Sequence, residues 1–180
     1  MQIEMFNCLG HSSSNTHNLE PYDRLYAYAM QLWQHELGRI SVIDPFARKC
    51  MWGTKRNDIN PKFLHEYTTH CMDAREFMLN IQRESAHIVL MDPPFSDRQS
   101  NKEYGTSNLY TDPKYIVDLG NQAFRILKTN GFLIKCGYNT NKPAAGFELV
   151  RVAICNMGAS RNDILISLWQ KVQTILKVGL

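Results

Sequence analysis

Apolar positions recur along this chain in two periods. From Glu20 to Leu37, the residues Tyr22, Leu25, Tyr26, Ala29, Trp33 and Leu37 return every three or four positions. That is the spacing of one helix face, and Gly38 marks its end. ISVIDPF (40–46) reads as a short buried strand and TKRNDIN (54–60) as a second. PKFLHEYT begins at Pro61, a residue suited to the first position of one or two helical turns. THCMDA (69–74) reads as a third strand, REFMLNIQRE as a helix, and HIVLMDPPF as a fourth strand. Asp112 and Pro113 cap and open a helix over DPKYIVDLGNQAFRILKTN, with Asn130–Gly131 closing it. FLIKCGYN is a fifth strand. FELVRVAIC (147–155) and DILISLWQKV are two more, joined as a hairpin by NMGASRN. Residues 1–17, including the polar HSSSNTH, show neither period and are expected to be irregular.

Strands alternating with helices and closed by a hairpin predict an α/β fold, a Rossmann-like and mostly parallel sheet with a C-terminal antiparallel hairpin. The 180 residues suit one compact domain, with an N-terminal loop and helix in 1–40 and the core sheet in 41–172. No repeat, low-complexity tract or linker interrupts it. Hydrophobic residues make up 44% and charged residues 21%, the balance of a soluble globular protein. No apolar run approaches a membrane span. The N-terminus lacks the basic-then-apolar order of a secretory signal. Five cysteines without a CxxC pair argue against a disulfide framework and a zinc site, and His70–Cys71 reads as core rather than as ligands. Reduced thiols and a cytoplasmic location are expected. A net charge of +3 tolerates a polyanionic partner without requiring one.

In such sheets ligands bind outside the carboxyl ends of the strands. Asp44, Asp58, Asp73 and Asp92 follow the first four predicted strands. Any one of them would serve as a turn or cap residue, but four in succession exceed what packing requires. Asp92 stands apart, because Pro93 and Pro94 follow it directly and neither can donate a backbone hydrogen bond.

Asp92-Pro93-Pro94-Phe95 resembles the D-P-P-Y/F tetrapeptide of class I S-adenosylmethionine-dependent methyltransferases that act on amino groups of nucleic-acid bases. The resemblance extends over Ser41 to Val172, and the compact form looks like phage-borne members. It implies S-adenosylmethionine as cofactor, a nucleic-acid partner with DNA favoured over RNA, and adenine N6 as the methyl acceptor. The physical reason for the tetrapeptide is that an exocyclic amino group is a weak nucleophile, its lone pair being delocalised into the ring. Two acceptors aimed at its hydrogens, the Asp92 carboxylate and the Pro93 carbonyl, free that lone pair. Pro93 and Pro94 would hold the backbone ready, and Phe95 would stack on the base, which in single-strand recognition contributes about 1–3 kcal/mol. A base in duplex DNA must first be flipped out.

On the cofactor side, Asp44-Pro45-Phe46 is similar to the start of the family's D-P-F-x-G-x-G. Ala47, Arg48, Lys49 and Cys50 follow instead, without either glycine. Arg48 and Lys49 then either face the cofactor carboxylate or fill its pocket. The short interval to the second strand leaves room for a turn but not for a crossover helix. The resemblance assigns Asp58 to the ribose hydroxyls, Ile59 to the adenine ring, and Asp73 with Ala74 to the adenine amino group; Asp73 is also a candidate N-cap. Candidate substrate contacts are Arg98, Tyr104 and Tyr110 in the polar stretch 96–111, and Arg161 and Asn162 in the hairpin, which topology is expected to place beside Asp92. Two other readings remain open: a guanine-N2 methyltransferase acting on RNA, and a non-catalytic binding subunit that keeps the fold.

Overall fold

The computed structural model describes residues 1–9, 11, 16–36, 40–95, 100–101, 112–158 and 162–172. Its elements in chain order are β1 (Gln2–Asn7), α1 (Glu20–Gln31), β2 (Val42–Asp44), β3 (Lys55–Arg56), α2 (Ala74–Leu79), β4 (Ala86–Met91), α3 (Pro113–Ile126), β5 (Leu127–Gly137), β6 (Phe147–Asn156) and β7 (Ile164–Lys171). Single 3-10 turns lie at Thr16–Asn18 and Pro61–Phe63. The strands form one sheet in the order β1-β6-β7-β5-β4-β2-β3. β7 runs antiparallel to both its neighbours, and the other pairings are parallel. The expected α/β sheet with its C-terminal hairpin is therefore present.

β4 shows why its sequence is continuously apolar. Ile88 and Leu90 pack with Tyr22, Leu25 and Ala29 of α1. Val89 and Met91 pack on the opposite face with Phe77 of α2 and Leu119 of α3. A strand buried on both faces has no polar alternation to display. α1 thus covers one face of the sheet, and α2 and α3 cover the other.

Several expectations need correction. Residues 2–7 are not irregular: β1 pairs in parallel with β6, from Gln2 opposite Arg151 to Asn7 opposite Asn156. The third predicted strand is a single bridge between Asn57 and His70. There the fully buried Asn57 side chain takes over the stitching, donating to Pro45 O and Met72 O and accepting from Met72 N. The second strand shrinks to Lys55–Arg56. α1 ends at Gln31, and its predicted end at 37–38 lies outside the described residues. α2 stops at Leu79: Ile81 N closes a tighter turn on Met78 O, the Asn80 side chain donates to Glu76 O, and Ile81 is buried. α3 ends at Ile126, ahead of Asn130–Gly131. Leu127, fully buried, already pairs with Ala86, and 128–131 form an irregular excursion before Phe132 meets Ile88.

Candidate active site

The parallel strands β2, β3 and β4 end on one side of the sheet, and that side gathers the acidic residues. Asp44 closes β2, Asp58 lies two residues beyond β3, and Asp92 follows β4. Asp44 and Asp58 are buried, while Asp92 keeps some contact with solvent. Burial pushes all three carboxyls up: Asp44 to about 8, Asp92 to about 7 and Asp58 to about 6. The Asp92 charge raises Asp44 further. Opposing donors hold the values down. Phe46 N and the Cys50 thiol donate to Asp44, the former at 3.0 Å. The Thr16 hydroxyl and the Cys136 thiol donate to Asp92. Asn60 N and Arg48 N donate to the two oxygens of Asp58 at 2.8 and 3.2 Å.

The turn after β2 lacks glycine but keeps a glycine conformation. Arg48 stands where the first glycine of the motif was expected, and its φ is 47°, a region costly for residues with a Cβ. The position of the second is taken by Cys50, buried against Asp44. No helix separates β2 from β3, as the short interval implied. Trp52 anchors the turn beneath α1, stacked on Tyr26 at 4.5 Å and tilted against Tyr22 at 5.4 Å. Tyr22 itself is buried, and Cys136, Asp44 and Asp92 all oppose formation of its phenolate. Pro45, Phe46 and Ala47 are buried within this turn, and Ile59 is half-buried beside Asp58.

Asp73 is the N-cap of α2, accepting from Arg75 N at 2.9 Å and Glu76 N at 3.3 Å. Its other oxygen accepts from the Tyr115 hydroxyl of α3 at 2.6 Å. Ala74 is buried in the core that α2 and α3 share.

The tetrapeptide divides its residues between two surroundings. The Asp92 carboxylate faces Thr16 and Cys136, on the α1 face. Pro93, Pro94 and Phe95 wall a cleft of about 430 Å³ on the α3 face, closed by Ile116, Lys135 and Tyr138. The rings of Phe95 and Tyr138 are 5.2 Å apart. A second concavity lies outside the β2 turn. There Arg48 and Lys62 sit over the Phe63 ring at 5.7 and 4.8 Å, and Lys49 over Tyr67 at 5.7 Å.

Of the predicted substrate contacts, Arg98, Tyr104, Tyr110 and Arg161 lie outside the described residues. Asn162 is exposed two residues before β7. In the sheet, β5 stands between β7, which leaves the hairpin, and β4, which leads to Asp92. Sequence reasoning missed Thr16, Tyr22, Tyr115, Lys135, Cys136 and Tyr138. Tyr138 stood at the carboxyl end of a predicted strand, and the rule that selected Asp92 would have found it.

No family model and no curated protein matches the chain. Solved structures do match it in fold. An rRNA methylase from Streptococcus thermophilus superposes with a TM-score of 0.52 at 13% identity, covering 86% of this chain and 98% of the other. The Escherichia coli yhhF protein, provisionally named a methyltransferase, gives 0.51 at 11% identity, covering 83% and 86%. TrmN from Thermus thermophilus gives 0.52 at 15% identity over 80% of this chain, which spans about half (48%) of that longer protein. The chain therefore has a Rossmann-like methyltransferase fold.

Proposed function

We propose that the protein transfers a methyl group from S-adenosylmethionine to an exocyclic amino group of a nucleic-acid base. The observation that carries this reading is the end of β4. A carboxylate held by two side-chain donors is followed directly by the prolines and aromatic ring of a base-sized cleft.

The residues fit the cofactor in charge. Three raised carboxyls at the strand ends form a site that a sulfonium cation would compensate. Asp58 takes one amide on each oxygen, so each retains acceptor capacity for a ribose hydroxyl. Asp44, Pro45, Phe46 and Ala47 would line the methionine end, and Ile59, Asp73 and Ala74 the adenine. When bound, the cofactor supplies the methyl group. Asp92 and the Pro93 carbonyl then accept the two amino hydrogens at the rim of the cleft, Phe95 holds the ring, and positioning does most of the work. With its carboxyl near 7, Asp92 is also matched to receive the proton that the methylated amine sheds.

The tetrapeptide's resemblance points to adenine N6 in DNA. The likeness to an rRNA methylase supports RNA as a second target, for which the tetrapeptide's resemblance allows a guanine amino group as the acceptor. The concavity where Arg48, Lys49 and Lys62 outnumber Glu66 suits a phosphate backbone in either case.

Calorimetric titration with S-adenosylmethionine, followed by methyl-transfer assays on DNA and RNA, tests the proposal. Micromolar binding and turnover that vanishes in Asp92→Ala support it. Absence of cofactor binding would favour the non-catalytic binding subunit. Turnover retained in Asp92→Ala would sink the mechanism.

A further inference from the structure

Among the described residues, Lys135 is a buried cation without a carboxylate partner. It lies on β5, paired with Met91 of β4, and only 8% of it is exposed. Its ammonium donates to Asn139 Oδ1 at 3.3 Å and to Asn141 O at 3.0 Å, both neutral acceptors. Among the described residues it makes no ion pair. The contrast is Lys171, also buried, which reaches the Glu84 carboxylate at 3.3 Å and Leu127 O at 2.7 Å. Buried charges are ordinarily paired, and burial already lowers the pKa of Lys135. An ammonium carries three donors. Two are engaged, and Lys135 lines the cleft beside Pro93, Phe95 and Tyr138.

Taking that cleft as the base site of the proposed function, we infer that Lys135 reads the carbonyl edge of the base, so that the cleft selects guanine over adenine. A lysine complements the O6 and N7 acceptors of guanine. Adenine offers N7 beside an amino group, which would set donor against donor at Lys135. A purine held at O6 keeps its N2 amino group on the far side of N1, available to Asp92 and Pro93. The amino group methylated would then be guanine N2.

Calorimetry with nucleoside 5′-monophosphates and no methyl donor tests this. GMP and IMP share the carbonyl, and IMP lacks the amino group. AMP and 2-aminopurine riboside monophosphate lack the carbonyl, while the phosphate is common to all four. GMP and IMP are expected to bind at least about tenfold tighter than the other two, a margin in the range of one good base contact. Lys135→Met, checked for folding by circular dichroism, should erase the gap. Lys135→Arg should keep part of it, and Lys142→Met, on the same wall, should keep it whole. Equal affinities in the native protein would mean that phosphate alone drives binding, and would overturn the inference. So would a gap that survives Lys135→Met, or no binding of any nucleotide at millimolar concentration. If Lys135→Met does not fold, the order in the native protein and in Lys135→Arg still decides. The expected order in a protein without methyl-transfer activity would refute the proposed reaction but not Lys135; turnover without the order would refute only Lys135.

Discussion

The thiol of Cys136 donates to the carboxylate of Asp92 across the gap between two neighbouring strand ends. β4 and β5 bring the pair together by register, since Met91 lies opposite Lys135 and the next residue of each strand follows. The thiol holds the Asp92 pKa below where burial alone would set it. Cys136→Ala should therefore move the acidic limb of the pH–rate profile upward, with lower relative activity at neutral pH that recovers as pH rises. An unmoved limb would show that Asp92 ionisation does not govern turnover.

Arg48 also lowers the Asp92 pKa, while its own backbone is held at φ 47°. Arg48→Gly should release conformational strain, stabilising the fold by up to about 1 kcal/mol in urea unfolding. It should also shift the acidic limb upward, as Cys136→Ala does. A fall in stability would show that the Arg48 side chain contributes more than its backbone costs.

Asp44, Asp58 and Asp92 all have folded-state pKa values raised above the ordinary carboxylate range. Between roughly pH 4 and 8 the native protein holds protons that the unfolded chain has released, so stability should fall as pH rises through that window. His17, lowered by burial, acts oppositely, and only below its unfolded value near 6.5. The melting temperature is expected to be higher at pH 6 than at pH 8. Asp92→Asn should narrow that difference while reducing kcat/KM roughly a hundredfold or more. A melting temperature that rises from pH 6 to 8 would contradict the raised values.

Tyr115→Phe removes the one bond that ties α3 to the cap of α2 through Asp73. A loss of about 1 kcal/mol is expected in urea unfolding. An unchanged midpoint would mean that the apolar contacts and the Arg75–Asp118 pair hold the helices without it.

Charge reversal at Lys49 and Lys62 tests the basic concavity. The double variant should bind single-stranded nucleic acid more weakly, with a shallower dependence on salt, and should bind S-adenosylmethionine as before. An unchanged salt slope would exclude this surface from phosphate contact.

The sequence made the end of β4 legible because two-sided burial leaves an uninterrupted apolar run, Ile88 to Met91, that stops at a charged residue. Asp44 was legible for the same reason. Asp73 was read both as a cap and as a ligand residue, and its capping bonds are now observed. β1 was hidden because its parallel partner is remote in the chain and its Ile3 and Met5 remain largely exposed, so no buried pattern marks it. The third strand failed because the Asn57 side chain supplies bonds that a backbone ladder would have made. Lys135 and Cys136 acquire meaning only from the register between β4 and β5, which depends on pairing rather than on local pattern.

The pairing of Gln2 with Arg151 has a consequence for the order of assembly. During synthesis the first strand leaves the ribosome long before its parallel partner exists. Thr16 and Tyr22, which close over Asp92 and Asp44, come soon after that waiting strand. β5, which supplies Cys136, is also a late arrival. The carboxyl cluster is thus sealed by segments that precede and follow the tetrapeptide in the chain, so a polypeptide made only as far as β4 would carry the tetrapeptide exposed and unable to act until β5 arrives.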